Sequence, residues 1–220
     1  MRDLSGIGAV IFDMDGVIFD SERATFAEWK AIADREGLAE IDEVYRRCIG
    51  VNARVSREIF LGFYGADFPY DAFNREVSVS CHGKYDGGRL PMKPGVRPLL
   101  EALRQRGLYL ALASSTRTET VRNQLRDAGL LPFFDRVVGG DMITRSKPAP
   151  DIFLAAIEGT GIAPADCAVI EDSFNGIRAA HAAGMAPIMV PDMLPPDGEM
   201  RAMAGTILPD LDAVRSLLAP

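Results

Sequence analysis

The chain has 220 residues, 48% of them hydrophobic, and a formal net charge of -7. That length and composition suffice for one full core with room for a smaller inserted unit. The acid excess excludes a nucleic-acid backbone or an anionic membrane surface as the main partner, so a phosphate handled here must be met by local cations.

The first element is "AVIF", residues 9–12, an apolar run of strand length that ends on "DMDG", with Asp13 and Asp15 on either side of Met14. From about Phe19 to about Leu90 the pattern is helical, with no convincing strand: "SERATFAEWKAIADREG", "IDEVYRRCIG", "NARVSREIFLGFYG" and "YDAFNREVSVSCHGKY". The exit "DGGRLPMKPGV" is rich in Gly and Pro and suits a hinge. Beyond it, "LYLALA", "RVVGG", "CAVIE" and "APIMV" read as strands. Between and before them lie the helix-like "GVRPLLEALRQRG", "TETVRNQLRDAGL", "PAPDIFLAAIEGTG" and "NGIRAAHAAGM", three of which run into a capping glycine, Gly107, Gly129 or Gly184. Strands separated by helices of ten or more residues imply right-handed crossovers and a parallel sheet. The expected fold is therefore α/β, with residues 1–18 and 91–220 forming a Rossmann-like core and residues 19–90 a helical insertion. The segment "PDMLPPDGEM" near the C-terminus reads as flexible.

In an open parallel sheet, ligands bind outside the carboxyl ends of the strands. Asp13 and Asp15 at such an end read either as a simple turn or as a nucleophile with a general acid/base two residues on. Other strand ends favour the second reading. "LYLALA" leads into Ser114, Ser115 and Thr116 at a helix N-terminus, where a phosphoryl group is readily held. "SKPAPDIF" supplies Lys147 as a fixed positive charge, and "CAVIED" ends on Glu171 and Asp172. Asp13, Glu171 and Asp172 suit a hard cation with oxygen ligands, and Mg²⁺ is favoured where substrate phosphate is also bound. Together Mg²⁺ and Lys147 would balance these carboxylates and a phosphate dianion.

The order DxDGV, strand-end Ser, SKPxPDIF and EDSxxGIxAAxxAGM resembles the haloacid dehalogenase-like (HAD) superfamily, in the branch holding β-phosphoglucomutase and phosphoglycolate phosphatase. The resemblance covers nearly the whole chain, with the insertion where that branch carries its cap domain. It implies that Asp13 attacks phosphorus to form an aspartyl-phosphate. Asp15 would protonate the leaving oxygen and later activate water, starting protonated under the influence of the neighbouring charges. Ser114, Ser115 and Lys147 would bind phosphoryl oxygens. The metal ligands would be Asp13, the Asp15 backbone carbonyl, Asp172 and Glu171, the last directly or through water. Candidate substrate contacts are Arg54, Lys84 and Arg117.

The expected activity is a Mg²⁺-dependent phosphatase acting on a small phosphorylated metabolite. The alternative is a hexose phosphate mutase like β-phosphoglucomutase, although the position of that enzyme's cap histidine falls on Thr25 here. A third reading, a silent ligand-binding fold, gives no reason for Asp13, Asp15, Lys147 and Asp172 to occur together. There is no GxSxG or GxxxxGK[ST] motif, and His82 and His181 are the only histidines. Cys48, Cys81 and Cys167 are odd in number and widely spaced, which favours a reducing cytoplasm over a disulfide framework. The N-terminal apolar run is too short for a signal peptide. The expectation is a soluble cytoplasmic monomer or weak dimer, with neither nucleic-acid nor membrane partners.

Overall fold

A computed structural model of the protein describes residue 4, residues 6–51 and residues 53–219. Six parallel strands, β1 (Ala9–Phe12), β2 (Tyr109–Ser114), β3 (Arg136–Gly139), β4 (Cys167–Glu171), β5 (Ala186–Met189) and β6 (Thr206–Ile207), form one sheet in the order β3-β2-β1-β4-β5-β6. β1 is central, with Phe12 in register with Leu112 of β2 and Ile170 of β4. The order reverses between β1 and β4, which opens the ligand crevice typical of such sheets above these two strands.

Ten α-helices are described: α1 (Ser21–Glu36), α2 (Ile41–Cys48), α3 (Ala53–Tyr64), α4 (Tyr70–Tyr85), α5 (Val96–Gln105), α6 (Thr118–Asp127), α7 (Asp151–Ile157), α8 (Phe174–Ala182), α9 (Gly198–Met203) and α10 (Leu211–Leu218). Alternation along β1 explains the unbroken run "AVIF". Val10 and Phe12 pack into a cluster with Leu99 and Leu103 of α5 and Val214 of α10. Ala9 and Ile11 pack on the opposite face with Phe153 of α7 and Ala180 of α8. A strand covered on both faces has no polar side to show. Gly107, Gly129 and Gly184 follow α5, α6 and α8 with φ of 72°, 67° and 74°, as the capping pattern predicts.

Helices α1 to α4 lie between β1 and α5 and have an apolar cluster of their own. Trp29, Tyr45, Phe60 and Tyr70 are at its centre, with the Trp29 and Phe60 rings 4.5 Å apart. The chain enters and leaves this insertion through two adjacent extended segments. Phe19 and Met92 form an antiparallel bridge, the Asp20 amide donates to the Pro91 carbonyl at 2.8 Å, and the Lys93 amide donates to the Ile18 carbonyl at 2.9 Å. Such a double crossing is compact and has few covalent constraints.

The stretch 191–200 is more ordered than its composition suggests. Met193 and Leu194 pack on the insertion's aromatic cluster, and Asp192 is paired with Arg23 of α1 at 2.8 Å and with Lys93 at 2.7 Å. Asp197 then caps α9 by accepting from the Met200 amide at 2.8 Å. Prolines set the path here, and tertiary contacts hold it.

Candidate active site

Asp13 follows β1 directly, and its amide still donates to the Ile170 carbonyl at 3.0 Å. Extended backbone turns alternate side chains to opposite sides, so Met14 enters the core while Asp13 and Asp15 both face the crevice. Gly16 then reverses the chain with φ of 78°. A Cβ there would lie 2.3 Å from Asp172 Oδ2, so glycine at this position also allows the close approach of Asp172.

Lys147 stands between two strand ends. Its Nζ donates to Asp13 Oδ1 and to Glu171 Oε1, each at 2.6 Å, and its side chain is 4% exposed. The other oxygen of Glu171, Oε2, accepts from the Asp172 amide at 2.9 Å, the Ser173 amide at 2.8 Å and Ser173 Oγ at 2.9 Å. Gly176 makes room for this carboxylate, because a Cβ there would lie 1.7 Å from Glu171 Oε1. Glu171 is thus a fully used brace that aims Lys147 at Asp13.

Carboxylate oxygens of Asp13, Glu171 and Asp172 all lie within 4.8 Å of one another, and all three residues are buried. Burial pushes the Asp13 carboxyl up to about 8, against the lowering effect of Lys147 and with the help of Glu171 and Asp15. Burial, then Glu171 and Asp13, hold Asp172 well above the usual carboxylate range. Burial alone would lower Lys147, but the charges of Asp13 and Glu171 outweigh it and keep the ammonium protonated. One ammonium against three carboxylates leaves a surplus of two negative charges. That surplus and the all-oxygen donor set fit a hard divalent cation.

Asp15 is held by hydroxyls. Its Oδ1 accepts from Ser21 Oγ at 2.6 Å, and its Oδ2 accepts from Thr116 Oγ1 at 3.1 Å and Ser114 Oγ at 3.3 Å. Ser114, expected to bind phosphoryl oxygens, is completely buried at the end of β2, where its Oγ also accepts from the Thr116 amide at 3.0 Å. Ser115, Thr116 and Arg117, at the start of α6, instead line the cavity above Asp13. This cavity has a volume of about 470 Å³; its core side includes Asp13, Asp15, Lys147 and Asp172, and its insertion side includes Glu22, Trp29, Tyr45, Ser56, Phe60 and Asn74.

Two of the expected substrate contacts are elsewhere. Lys84 donates to the buried Glu28 of α1 at 2.7 and 2.9 Å, which ties α4 to α1, and it does not line this cavity. Arg54 is 73% exposed and paired with Glu58 one turn on at 2.6 Å, also outside the cavity. Residues not singled out from sequence include Ser21, Glu22 and Tyr45. The Tyr45 hydroxyl donates to Glu22 Oε2 at 3.0 Å, and burial, followed by the charge of Asp15, raises the Glu22 carboxyl to about 7. Helix periodicity after "DGV" puts Ser21 and Glu22 at the first turn of α1, but an acidic residue there is ordinary for any helix. His82 is exposed on α4 with Nδ1 2.6 Å from the Ser78 carbonyl, and His181 is exposed on α8.

The family model for haloacid dehalogenase-like hydrolases matches residues 7–184. The phosphorylated carbohydrates phosphatase of Thermotoga maritima is 33% identical over 180 residues, covering 82% of this chain and 83% of that protein. The β-phosphoglucomutase of Bacillus subtilis is 34% identical over 190 residues, 83% of this chain and 82% of that protein. Among solved structures, a HAD family hydrolase from Deinococcus radiodurans with bound phosphate and sodium superposes with a TM-score of 0.79 at 27% identity, covering 98% of this chain and 96% of that one.

Proposed function

The chain belongs to the haloacid dehalogenase-like hydrolase family, and from that premise we propose a Mg²⁺-dependent phosphatase that cleaves a small phosphorylated metabolite through phospho-Asp13. The observation that carries the reading is the convergence of Asp13, Asp15, Lys147 and Asp172 on one cavity. An Asp13 carboxylate oxygen attacks phosphorus, and the phosphoester bond to the leaving oxygen breaks. Asp15 gives that oxygen a proton; in the second half it takes a proton from water, which attacks phosphorus and returns Asp13 as a carboxylate. Ser21, Ser114 and Thr116 hold the Asp15 carboxyl in place for both transfers. Lys147 fixes the orientation of Asp13 and offsets its charge, while the start of α6 at Ser115 and Thr116 receives phosphoryl oxygens. Asp13, Asp172 and the Asp15 carbonyl would hold Mg²⁺, which neutralises the carboxylate surplus and polarises the phosphoryl group.

Residues 19–90 act in this reading as a cap that closes over the core and excludes water until the ester bond breaks. The sequence likeness to a β-phosphoglucomutase favours mutase chemistry as the second reading. A mutase must hold a bisphosphate at both ends, and neither Arg54 nor Lys84 reaches the cavity to do so. Among the described residues no helix is long and apolar enough to cross a membrane, and the cysteines are free. A cytoplasmic site of action fits both facts.

Rapid quenching during turnover, followed by mass spectrometry, should find a phosphoryl group on the peptide carrying Asp13. Asp13→Asn should abolish both label and turnover, the latter by on the order of 10³ or more. Label on another residue, or a tenth of the activity remaining in Asp13→Asn, would sink this mechanism.

A further inference from the structure

The distribution of charge around the cavity also bears on what the non-phosphate part of the substrate is. The charged side chains on the cavity wall are Asp13, Asp15, Glu22, Asp172, Lys147 and Arg117. All but Glu22 belong to the core side, where the phosphate is held. Arg117 sits with Ser115 and Thr116 at the start of α6, and Lys147 is already shared between Asp13 and Glu171. Among the described residues the insertion side offers no cation.

Four cations of the insertion have partners elsewhere: Arg54 with Glu58, Arg57 with Asp71, Arg23 with Asp192 and Lys84 with Glu28. None of them lines the cavity. What the insertion does present is Glu22, braced by the Tyr45 hydroxyl, together with the neutral polar groups of Thr25, Ser56 and Asn74 and the packed rings of Trp29 and Phe60. No ion pair among the described residues includes Glu22, and burial raises its carboxyl so that it can also donate a proton in a hydrogen bond.

The formal charges on the wall come to minus two, which a bound divalent cation cancels. One phosphate dianion restores minus two, and a second anionic group on the insertion side would sit against Glu22 with no cation of the insertion to balance it. Like charges placed across a closed interface are costly, whereas hydroxyls and ammonium groups meet carboxyls and amides favourably. Flat rings suit the C–H face of a small polyol or sugar ring.

We propose that the insertion side of the cavity selects phosphomonoesters with a hydroxylated body that is neutral or positively charged. Glu22 forms a hydrogen bond or ion pair with that body and rejects substrates bearing a second phosphate or a carboxylate. The assignment rests on the phosphatase reading and narrows it to one phosphate per substrate.

The test uses the Mg²⁺-loaded full chain and a set of probes that differ at the end remote from the reacting phosphate: glucose 6-phosphate, glucosamine 6-phosphate, glucose 1,6-bisphosphate and 6-phosphogluconate. Acetyl phosphate, whose body is too small to reach the insertion, reports the chemistry at Asp13. Apparent affinity is read as KM where a probe is turned over, and as inhibition of acetyl phosphate hydrolysis where it is not.

The neutral and amine-bearing probes should bind at least about tenfold tighter than the two with an extra anion. Glu22→Gln, confirmed folded by its melting temperature, should shrink that ratio by about tenfold, mainly through tighter binding of the anionic probes. Equal or tighter binding of the bisphosphate or phosphogluconate by wild type, no binding of any sugar probe, or an unchanged ratio in Glu22→Gln would overturn the proposal while hydrolysis of acetyl phosphate left the phosphatase reading standing. No hydrolysis of acetyl phosphate or of any other probe would remove that reading and this one with it.

Discussion

Lys147→Met separates the electrostatic work of the site from its chemistry. In the native protein one buried ammonium holds Asp13 and Glu171 at 2.6 Å each. Methionine has nearly the same length and no charge, so the variant leaves two buried carboxylates facing each other with no cation between them. Removing one member of a buried charge set costs about 3–5 kcal/mol. For a domain of this size, about 2–4 °C of melting temperature is lost per kcal/mol, so the drop should be on the order of 10 °C. The loss should depend on pH in a definite direction. The Asp13 carboxyl is already raised to about 8 with Lys147 present, and the variant removes the contact that lowers it. An acid raised on folding binds more protons folded than unfolded, so stability falls as pH rises from the ordinary carboxylate range toward the raised value. Wild-type Asp13 stays protonated until about pH 8 and the variant's beyond it, so thermal melts in chelator should show a deficit that is nearly constant below about pH 8 and larger at pH 9.5 than at pH 6. Adding Asp13→Asn to Lys147→Met should restore part of the loss, because it removes one unpaired charge. A variant melting within about 2 °C of wild type at pH 9.5, or no more depressed there than at pH 6, would refute the account of Lys147 as the counter-ion of the site.

Chelation should abolish phosphate release, and Mg²⁺ should restore it while Ca²⁺ does so poorly, because the larger ion tolerates other geometries and would misplace Asp13; full activity in chelator would refute the carboxylate site as a metal centre. Gly16→Ala must displace Asp172, since the new Cβ falls 2.3 Å from Asp172 Oδ2 at a φ of 78°, so Mg²⁺ titrations should show affinity at least about tenfold weaker; unchanged affinity would mean that Asp172 is not a ligand. Glu22→Gln should melt a few degrees higher than wild type at pH 8 and equally at pH 5. The Glu22 carboxyl is raised to about 7, so its ionisation costs the folded state about 1–2 kcal/mol above that pH, discounted for partial solvent contact. The reverse order of melting temperatures would show that Glu22 is not strained by its neighbours.

The core strands were legible because a parallel strand covered on both faces leaves an unbroken apolar run, as "AVIF" and "CAVIE" do. β6 has only two residues, both half-buried, and gives no such run. α10 did carry a signal, with Asp210 capping the Ala213 amide and Leu211, Val214 and Leu218 on one face. The site's core half could be read because Asp13, Asp15, Lys147, Glu171 and Asp172 sit at fixed offsets from strand ends. The insertion half could not be read in the same way. Lys84 looks like a candidate ligand contact until α1 brings Glu28, 56 residues away in sequence, against it. Ser114 at the end of β2 likewise has partners that its neighbours in sequence do not announce: its Oγ accepts from the Thr116 amide and donates to Asp15, 99 residues away. Such outcomes are decided by helix packing, which no local pattern records.

The same packing determines how strongly the insertion can discriminate. Two unit charges about 6 Å apart interact by about 0.7 kcal/mol in water and by about 3 kcal/mol at the effective dielectric of a protein site. At about 1.4 kcal/mol per tenfold, the repulsion between Glu22 and a remote anionic group is therefore worth a few-fold in an open, wet cleft and on the order of a hundredfold in a closed one. Closure is what turns one carboxylate into a selector. The contacts that hold the insertion against the core do not use Asp13, Asp15 or Lys147: Arg23 with Asp192, Asn175 Nδ2 donating to the Gly50 carbonyl at 3.2 Å, and Met193 and Leu194 against the aromatic cluster. Loosening them should leave Asp13, Asp15 and Lys147 in place and let water and counter-ions reach Glu22. Discrimination against a second anion should then fall further than turnover of acetyl phosphate. Arg23→Ala provides the measurement, and a loss of acetyl phosphate turnover with selectivity intact would show that the insertion serves the chemistry and not the choice of substrate.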